Sequence, residues 1–102
     1  MISFPQQVED WYRKNADSLL QRFAKVVVRS NQRDPLRGAV IIEIEHASLV
    51  ATMTVWNKGD IEVAVLTKGA ASPLYLDDRM LEAGEDIAFL LDGYTRKIAA
   101  LA

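Results

Sequence analysis

The chain of 102 residues contains no cysteine, a single histidine and only three prolines. Without cysteine it can form neither disulfides nor thiolate metal sites, a composition typical of cytosolic proteins. No stretch approaches the roughly 18 consecutive apolar residues of a membrane-spanning helix. The first 15 residues lack the basic flank and apolar run of a signal peptide. We therefore expect a cytoplasmic protein that does not enter the membrane.

Half of the residues are apolar and a quarter are charged, which is ordinary for a globular chain. A chain of this length is large enough for a core of its own, so we expect a single domain over residues 1–102. The net charge of −2 is spread unevenly, because residues 1–38 have an excess of basic residues and residues 39–102 an excess of acids. Such an asymmetry either steers a charged partner or reflects chance differences between solvated faces.

The segment from Leu49 to Leu66 predicts a β-hairpin. Two runs rich in β-branched residues flank the loop 57–59, whose glycine suits the left-handed position of a three-residue turn. This loop places apolar residues opposite each other on one face: Val55 with Ile61, Met53 with Val63, and Ala51 with Val65. A shift of one residue would mix apolar and charged residues on each face, so the turn and the pattern predict the same register.

The remaining periodicities predict two more strands and two helices. Alternation indicates a strand over about residues 39–45 and another over about 74–80. Apolar residues at spacings of three and four predict one long helix over about residues 4–30, and an acidic start followed by a second apolar stripe predicts a helix after residue 82. The expected fold is α+β: helix, four-stranded antiparallel meander, helix, in a two-layer sandwich with both helices on one sheet face.

Residues suited to catalysis or metal binding are sparse. His46 is the only histidine and lies at a predicted strand end, without an evident orienting acid and nucleophile. Glu43, Glu45 and Glu62 could gather around a divalent cation, but a solvated sheet face is the favoured interpretation. The basic segment 25–37 lacks the interleaved aromatics of a nucleic-acid site. We expect no enzymatic activity, no cofactor, no metal ion and no nucleic-acid ligand.

The sheet face that points away from the helices is expected to be open and acidic. Trp56 lies on this face in the predicted register, and an exposed tryptophan among acids is typical of a binding hot spot. The alternative is that its ring covers the sheet edge or packs on Lys58. The candidate partner-binding residues are Glu43, Glu45, Thr54, Trp56, Glu62, Tyr75 and Asp77.

One motif resembles a known family. The turn Thr54-Val55-Trp56-Asn57-x-Gly59, the next strand with Glu62-Val63, a Tyr-bearing strand and an acidic-start helix are similar to the TriTu immunity proteins. These small proteins neutralise the toxin tips of bacterial contact-dependent growth inhibition systems. The resemblance implies tight, non-catalytic binding of one cognate toxin C-terminal domain, often a nuclease. We expect a monomer or a weak homodimer.

Two other classes of protein fit the same features. Type III secretion chaperones are also small, acidic, cytosolic α+β proteins, usually dimeric, and they hold an extended effector segment on apolar patches. A small-molecule-binding domain, whether an enzyme or a sensor, would need a buried polar pocket between the sheet and the helices. The sequence offers no candidate residues for such a pocket.

Overall fold

The computed structural model of the chain describes residues 4–23, 25–30, 38–82 and 84–102. In chain order the elements are α1 (Phe4–Arg22), β1 (Lys25–Ser30), β2 (Ala39–Glu45), β3 (Leu49–Trp56), β4 (Asp60–Thr67), β5 (Pro73–Met80) and α2 (Ile87–Leu101). The strands form one antiparallel sheet in the order β1-β2-β3-β4-β5, so each strand pairs with its neighbour in sequence. The predicted α+β sandwich is confirmed, with one strand more than expected.

The additional strand is β1, and the helix predicted over residues 4–30 is wrong beyond Arg22. The run Val26-Val27-Val28 lies in β1, because β-branched side chains lose freedom in a helix and suit a pleated strand. Backbone pairing with β2 adds to this preference, from Lys25 opposite Glu45 to Ser30 opposite Val40. Residues 31–37, which make up the second half of the basic segment 25–37, lie outside the described residues.

The core lies between one face of the sheet and the two helices. Every second side chain of the three central strands is buried there: Val40, Ile42, Ile44, Ala51, Met53, Val55, Ile61, Val63 and Val65. The helices cover this face with Val8, Trp11, Leu19, Ile87, Leu91 and Ile98, all in the same apolar cluster. Burying such a side chain fully contributes roughly 1.5–3 kcal/mol, so this layer holds both helices on one side of the sheet.

The helices have their own polar contacts. The Asp86 carboxylate caps α2 by accepting a hydrogen bond from the Phe89 N–H at 3.3 Å, as its place in the acidic segment before the helix predicts. The indole N–H of Trp11 donates to the Asp92 carboxylate at 2.9 Å and joins α1 to α2. Neither helix, as far as the described residues extend, is long and apolar enough to cross a membrane.

The hairpin of β3 and β4 has the register that its sequence predicts. Met53 lies opposite Val63, and Val55 lies opposite Ile61. The loop 57–59 closes with the Gly59 N–H donating to the Trp56 carbonyl at 3.0 Å, and Gly59 has a φ of +101°. This conformation is open to glycine and unfavourable for residues with a Cβ atom. The turn therefore fixes which side chains of the hairpin enter the core.

Gly59 also lies against α1, which generates a stability prediction. A Cβ atom at Gly59 would lie 3.1 Å from the Phe4 ring, whereas a Cβ atom at Gly69, with a φ of +81°, would meet nothing within 4 Å. Both alanine substitutions impose backbone strain of about 1–3 kcal/mol, but only Gly59→Ala adds a steric conflict. We expect Gly59→Ala to lower the free energy of unfolding by at least about 1 kcal/mol more than Gly69→Ala, measured by urea unfolding. Equal losses would show that the Phe4 contact is unimportant.

Candidate functional site

The open face is the face of the sheet that lies opposite the helices. Its side chains alternate with the buried ones, and most of the candidate residues lie on it: Glu43, Glu45, Thr54, Trp56 and Glu62. Thr54 is only 9% exposed, because Ile41 and Glu62 flank it on the neighbouring strands. Trp56 is half-buried beside the hairpin turn. Thr54 therefore offers little contact area, whereas Glu62 is exposed.

Tyr75 and Asp77 lie on the helix-bearing face, so their expected place on the open face is wrong. Tyr75 lies opposite Val65 and Asp77 opposite Val63, and both valines are buried beneath the helices. Leu81, just after β5, is 5% exposed in the same core. Because Leu81 lies an even number of residues from Tyr75 and Asp77, its burial places all three on the same side of the strand.

The polar side chains of β5 reach partners on α2. The Tyr94 hydroxyl donates to the Asp77 carboxylate at 2.5 Å, and the Lys97 ammonium lies 5.0 Å from the centre of the Tyr75 ring. Burial raises the pKa of Tyr94 well above its ordinary value, and the hydrogen bond to Asp77 acts in the same direction. Burial also raises the pKa of Tyr75. Tyr75 and Asp77 are thus part of the packing of α2 on the sheet.

Because Tyr75 and Asp77 face the helices, the apolar side chains of β5 lie on the open face. Leu74 is 50% exposed, Leu76 66% and Met80 57%. Sequence reasoning missed these residues as surface positions, although the alternation of the leucines with Tyr75 and Asp77 was visible. The exposure of Leu76 and its apolar neighbours points to an interaction site, because exposed apolar side chains that cluster on a surface indicate such sites.

The charges on the open face divide it into two halves. Near β1 and β2 the acids are paired: Arg29 Nε lies 2.9 Å from Glu43 Oε1, and Lys68 Nζ lies 3.0 Å from Glu45 Oε1. The hydrogen bond from Lys68, together with its positive charge, lowers the pKa of Glu45. Lys25 also lies here, opposite Glu45, so this half of the open face is slightly basic, not acidic as expected.

Near β4 and β5 the acids are unpaired. Glu62 lies directly opposite Asp78, both are exposed, and neither takes part in an ion pair within the part of the chain that the structure describes. Like charges at opposite positions of neighbouring strands destabilise a sheet. We use the name acidic-apolar patch for this surface, which consists of Glu62, Leu74, Leu76, Asp78 and Met80.

Trp56 lies at one end of the acidic-apolar patch. The loop 57–59 joins Trp56 to Asp60, and Asp60 lies opposite Met80. Trp56, Met80 and the carboxylates of Asp60 and Glu62 thus lie at the hairpin end of the open face. Tryptophan is over-represented among the residues that dominate protein interfaces.

Two shallow depressions also mark the surface, each with a volume of about 190 Å³. One is lined by residues of β1, β2 and β3 on the open face, including Val27, Glu43 and Val50. The other lies between the two helices and includes Trp11 and Asp92. Neither lies between the sheet and the helices, where a small-molecule site was considered. Among the described residues, no group of three or more His, Asp or Glu side chains is placed to hold a metal ion.

Comparison with protein-family models, curated proteins and solved structures gives no match to this chain.

The contact between Tyr94 and Asp77 generates a prediction about alkaline pH. Because the pKa of Tyr94 in the folded chain is above its ordinary value of 10.0, the neutral phenol contributes stability that is fully present below that value and is lost as the pH rises above it. We expect the free energy of unfolding to decrease as the pH rises above about 10, and to decrease less steeply in Tyr94→Phe. At pH 7 this variant should lose about 1 kcal/mol, because Asp77 loses its donor.

Tyr12→Phe on α1 is the control for removing one phenol group, and urea unfolding at a series of pH values is the measurement. The same alkaline slope in Tyr94→Phe and in the unmodified chain would contradict the assigned role of the Tyr94 hydroxyl.

Proposed function

We propose that this chain is a bacterial immunity protein that acts in the cytoplasm and neutralises a cognate toxin by binding it. The interface is non-catalytic and lies on the open face of the sheet. The acidic-apolar patch beside Trp56 is the observation that carries this proposal, and the sequence resemblance to the TriTu immunity proteins supports it.

The composition of the acidic-apolar patch favours a protein as the ligand. Protein interfaces combine an apolar centre with polar and charged residues at the rim. Leu76 and Met80 supply apolar area, and Glu62 and Asp78 supply charge next to it. The surface is broad and lies on a sheet, which suits a partner with a complementary surface better than a small molecule, because small-molecule sites are concave.

The sign of the charge favours a basic partner. Glu62 and Asp78 repel each other across β4 and β5, and a lysine or arginine of a bound protein would relieve this repulsion. A nuclease carries basic residues where it binds phosphates. An acidic surface docked there accelerates association and blocks the nucleic-acid site, so neutralisation requires no chemistry from the immunity protein.

The two halves of the open face have different roles in this proposal. Glu43 and Glu45 are already paired with Arg29 and Lys68, so they contribute less to the attraction of a basic partner than the sequence suggests. Glu62 and Trp56 are the main contacts in this proposal. The half near β1 and β2 lies on one side of them and helps to exclude water once the partner is bound.

A second candidate function is favoured by the exposed apolar residues of β5. A secretion chaperone holds an extended effector segment on apolar patches, and Leu74, Leu76 and Met80 offer one. The state of the ligand separates the two functions, because an immunity protein binds a folded toxin domain and a chaperone binds an extended segment. Binding to the folded toxin domain, with rescue of growth, would favour immunity.

Substitutions on the open face test the interface directly. We expect the double variant Trp56→Ala/Glu62→Lys to raise the Kd for the toxin domain at least about 30-fold, because it removes an aromatic anchor and reverses a central charge. The free energy of unfolding should change by less than about 1 kcal/mol, because Glu62→Lys also removes the repulsion with Asp78. Titration calorimetry and urea unfolding measure the two quantities.

Asp17→Lys is the matched control, because it makes the same change of charge at an exposed position on α1. This control should leave the Kd within about threefold of the unmodified value. Full affinity in the double variant would exclude the open face as the interface.

Co-expression tests the function itself. The toxin domain encoded next to this chain in its genome should arrest growth when expressed alone, and co-expression of this chain should restore growth. The double variant should fail to do so, whereas Asp17→Lys should succeed. A neighbouring product that is not toxic, or toxicity that this chain does not relieve, would overturn the proposed function.

A further inference from the structure

β5 is an edge strand whose outer side is free for pairing in the described part of the chain. Proteins usually protect such edges with proline, lysine, a bulge or a very short strand. The irregularity between β4 and β5 and Pro73 protect only the beginning of β5. The segment 74–80 contains no proline, glycine or lysine. Its charged residues Asp77, Asp78 and Arg79 disfavour pairing with an unrelated strand, but they leave the outer backbone groups available to a strand whose charges match them.

The direction of the backbone groups follows from one hydrogen bond. The Leu81 N–H donates to the Gly59 carbonyl at 2.8 Å, towards β4. Backbone groups alternate in direction along an antiparallel strand. The N–H and C=O groups of Leu76, Asp78 and Met80 therefore point outward, away from β4. These outward groups would form hydrogen-bonded pairs with a further antiparallel strand.

We propose that two copies of this chain associate through their β5 edges, antiparallel, with Asp78 on the twofold axis. In this register Leu76 of each copy lies opposite Met80 of the other, and Asp77 lies opposite Arg79. The apolar pairs fall on the open face, and the oppositely charged Asp77 and Arg79 fall on the helix-bearing face, where each already has a partner in its own copy, Tyr94 and Glu85. The two chains would exchange about six backbone hydrogen bonds at the outward-pointing residues.

Charge and apolar matching select this register over its neighbours. A twofold axis at Asp77 would place Asp77 against its own copy and Leu76 against Asp78. An axis at Leu76 would place Leu74 against Asp78 and leave Arg79 without a carboxylate opposite. With the axis at Asp78, the only like-charge contact is that of Asp78 with its own copy, on the exposed side of the strand. The segment 76–80 is thus complementary to itself, which is the requirement for a twofold interface.

The dimer is independent of the proposed function, and it leaves the open face accessible. It would extend the sheet across the axis and place the two acidic-apolar patches side by side. A second copy is the occupant that this self-complementarity indicates, whereas a strand from a different protein would not need Asp77 and Arg79 in mirrored positions.

Sedimentation equilibrium of the purified full chain, without any partner, measures the association. We expect a monomer–dimer equilibrium at chain concentrations up to about 100 µM. Asp78→Asn should lower the dimer Kd by about threefold, because it removes the repulsion at the axis. Arg79→Asp should raise the Kd at least about tenfold, because it places carboxylates opposite each other. A chain that stays monomeric at about 100 µM, or an Asp78→Asn variant that associates less tightly, overturns the proposal.

Arg79→Asp also removes the contact of Arg79 with Glu85, at 2.8 Å, so a second measurement protects the test against misfolding. Because the chain has no cysteine, Asp78→Cys introduces a single thiol at the proposed axis. Opposite residues of a hydrogen-bonded pair have Cα atoms about 5.5 Å apart, which suits a disulfide. Mild oxidation should therefore link two copies of Asp78→Cys much faster than two copies of Glu62→Cys, an exposed control on the same face.

Equal rates of cross-linking in the two cysteine variants would overturn the β5 dimer. Because these experiments contain no toxin, they leave the proposed immunity function untouched. Loss of toxin binding in Trp56→Ala/Glu62→Lys equally leaves the dimer untouched.

Discussion

The conformation of Gly59 is the constraint on which the rest of the structure depends. Its positive φ allows the three-residue loop that pairs β3 with β4 in one register. Its carbonyl accepts the Leu81 N–H, which fixes the phase of β5, and a Cβ atom in its place would lie 3.1 Å from the Phe4 ring at the start of α1. One residue thus links the hairpin, the edge strand and the first helix. A change of register at this loop would move the side chains of the hairpin to the opposite face of the sheet.

The parts of the fold that the sequence predicts correctly are those in which two local signals agree. The hairpin of β3 and β4 follows from both its turn and its alternation, and Trp56 and Glu62 on the open face follow from it. The strand β1 was missed because the spacing of Phe23, Val26 and Val27 suits a helix as well as a strand. The preference of valine for strands and the pairing with β2 decide between them.

The polarity of β5 could not be predicted from the strand itself. Leu74 and Leu76 alternate with Tyr75 and Asp77, and local rules place the leucines inside. Burial of Leu81 and the distant partner Tyr94 reverse this arrangement. The ion pair between Arg29 and Glu43 was equally hidden, because it requires β1 to be a strand next to β2. In both cases the missing information is a contact between residues far apart in the sequence.

The exposed side chains of β5 reduce the stability of the isolated chain, and binding of a partner to them would explain why they lie on the surface. Glu62 and Asp78 repel each other. Apolar Leu76 is exposed to water, whereas the more polar Tyr75 and Asp77 occupy the side of β5 that α2 covers. A second copy at the β5 edge would cover part of the apolar area, but it would add a further carboxylate contact at Asp78. A basic partner on the open face would instead bring positive charge to Glu62 and Asp78 together. The partner would therefore relieve a repulsion that the dimer leaves in place, which is why the two associations use different parts of β5 and neither requires the other.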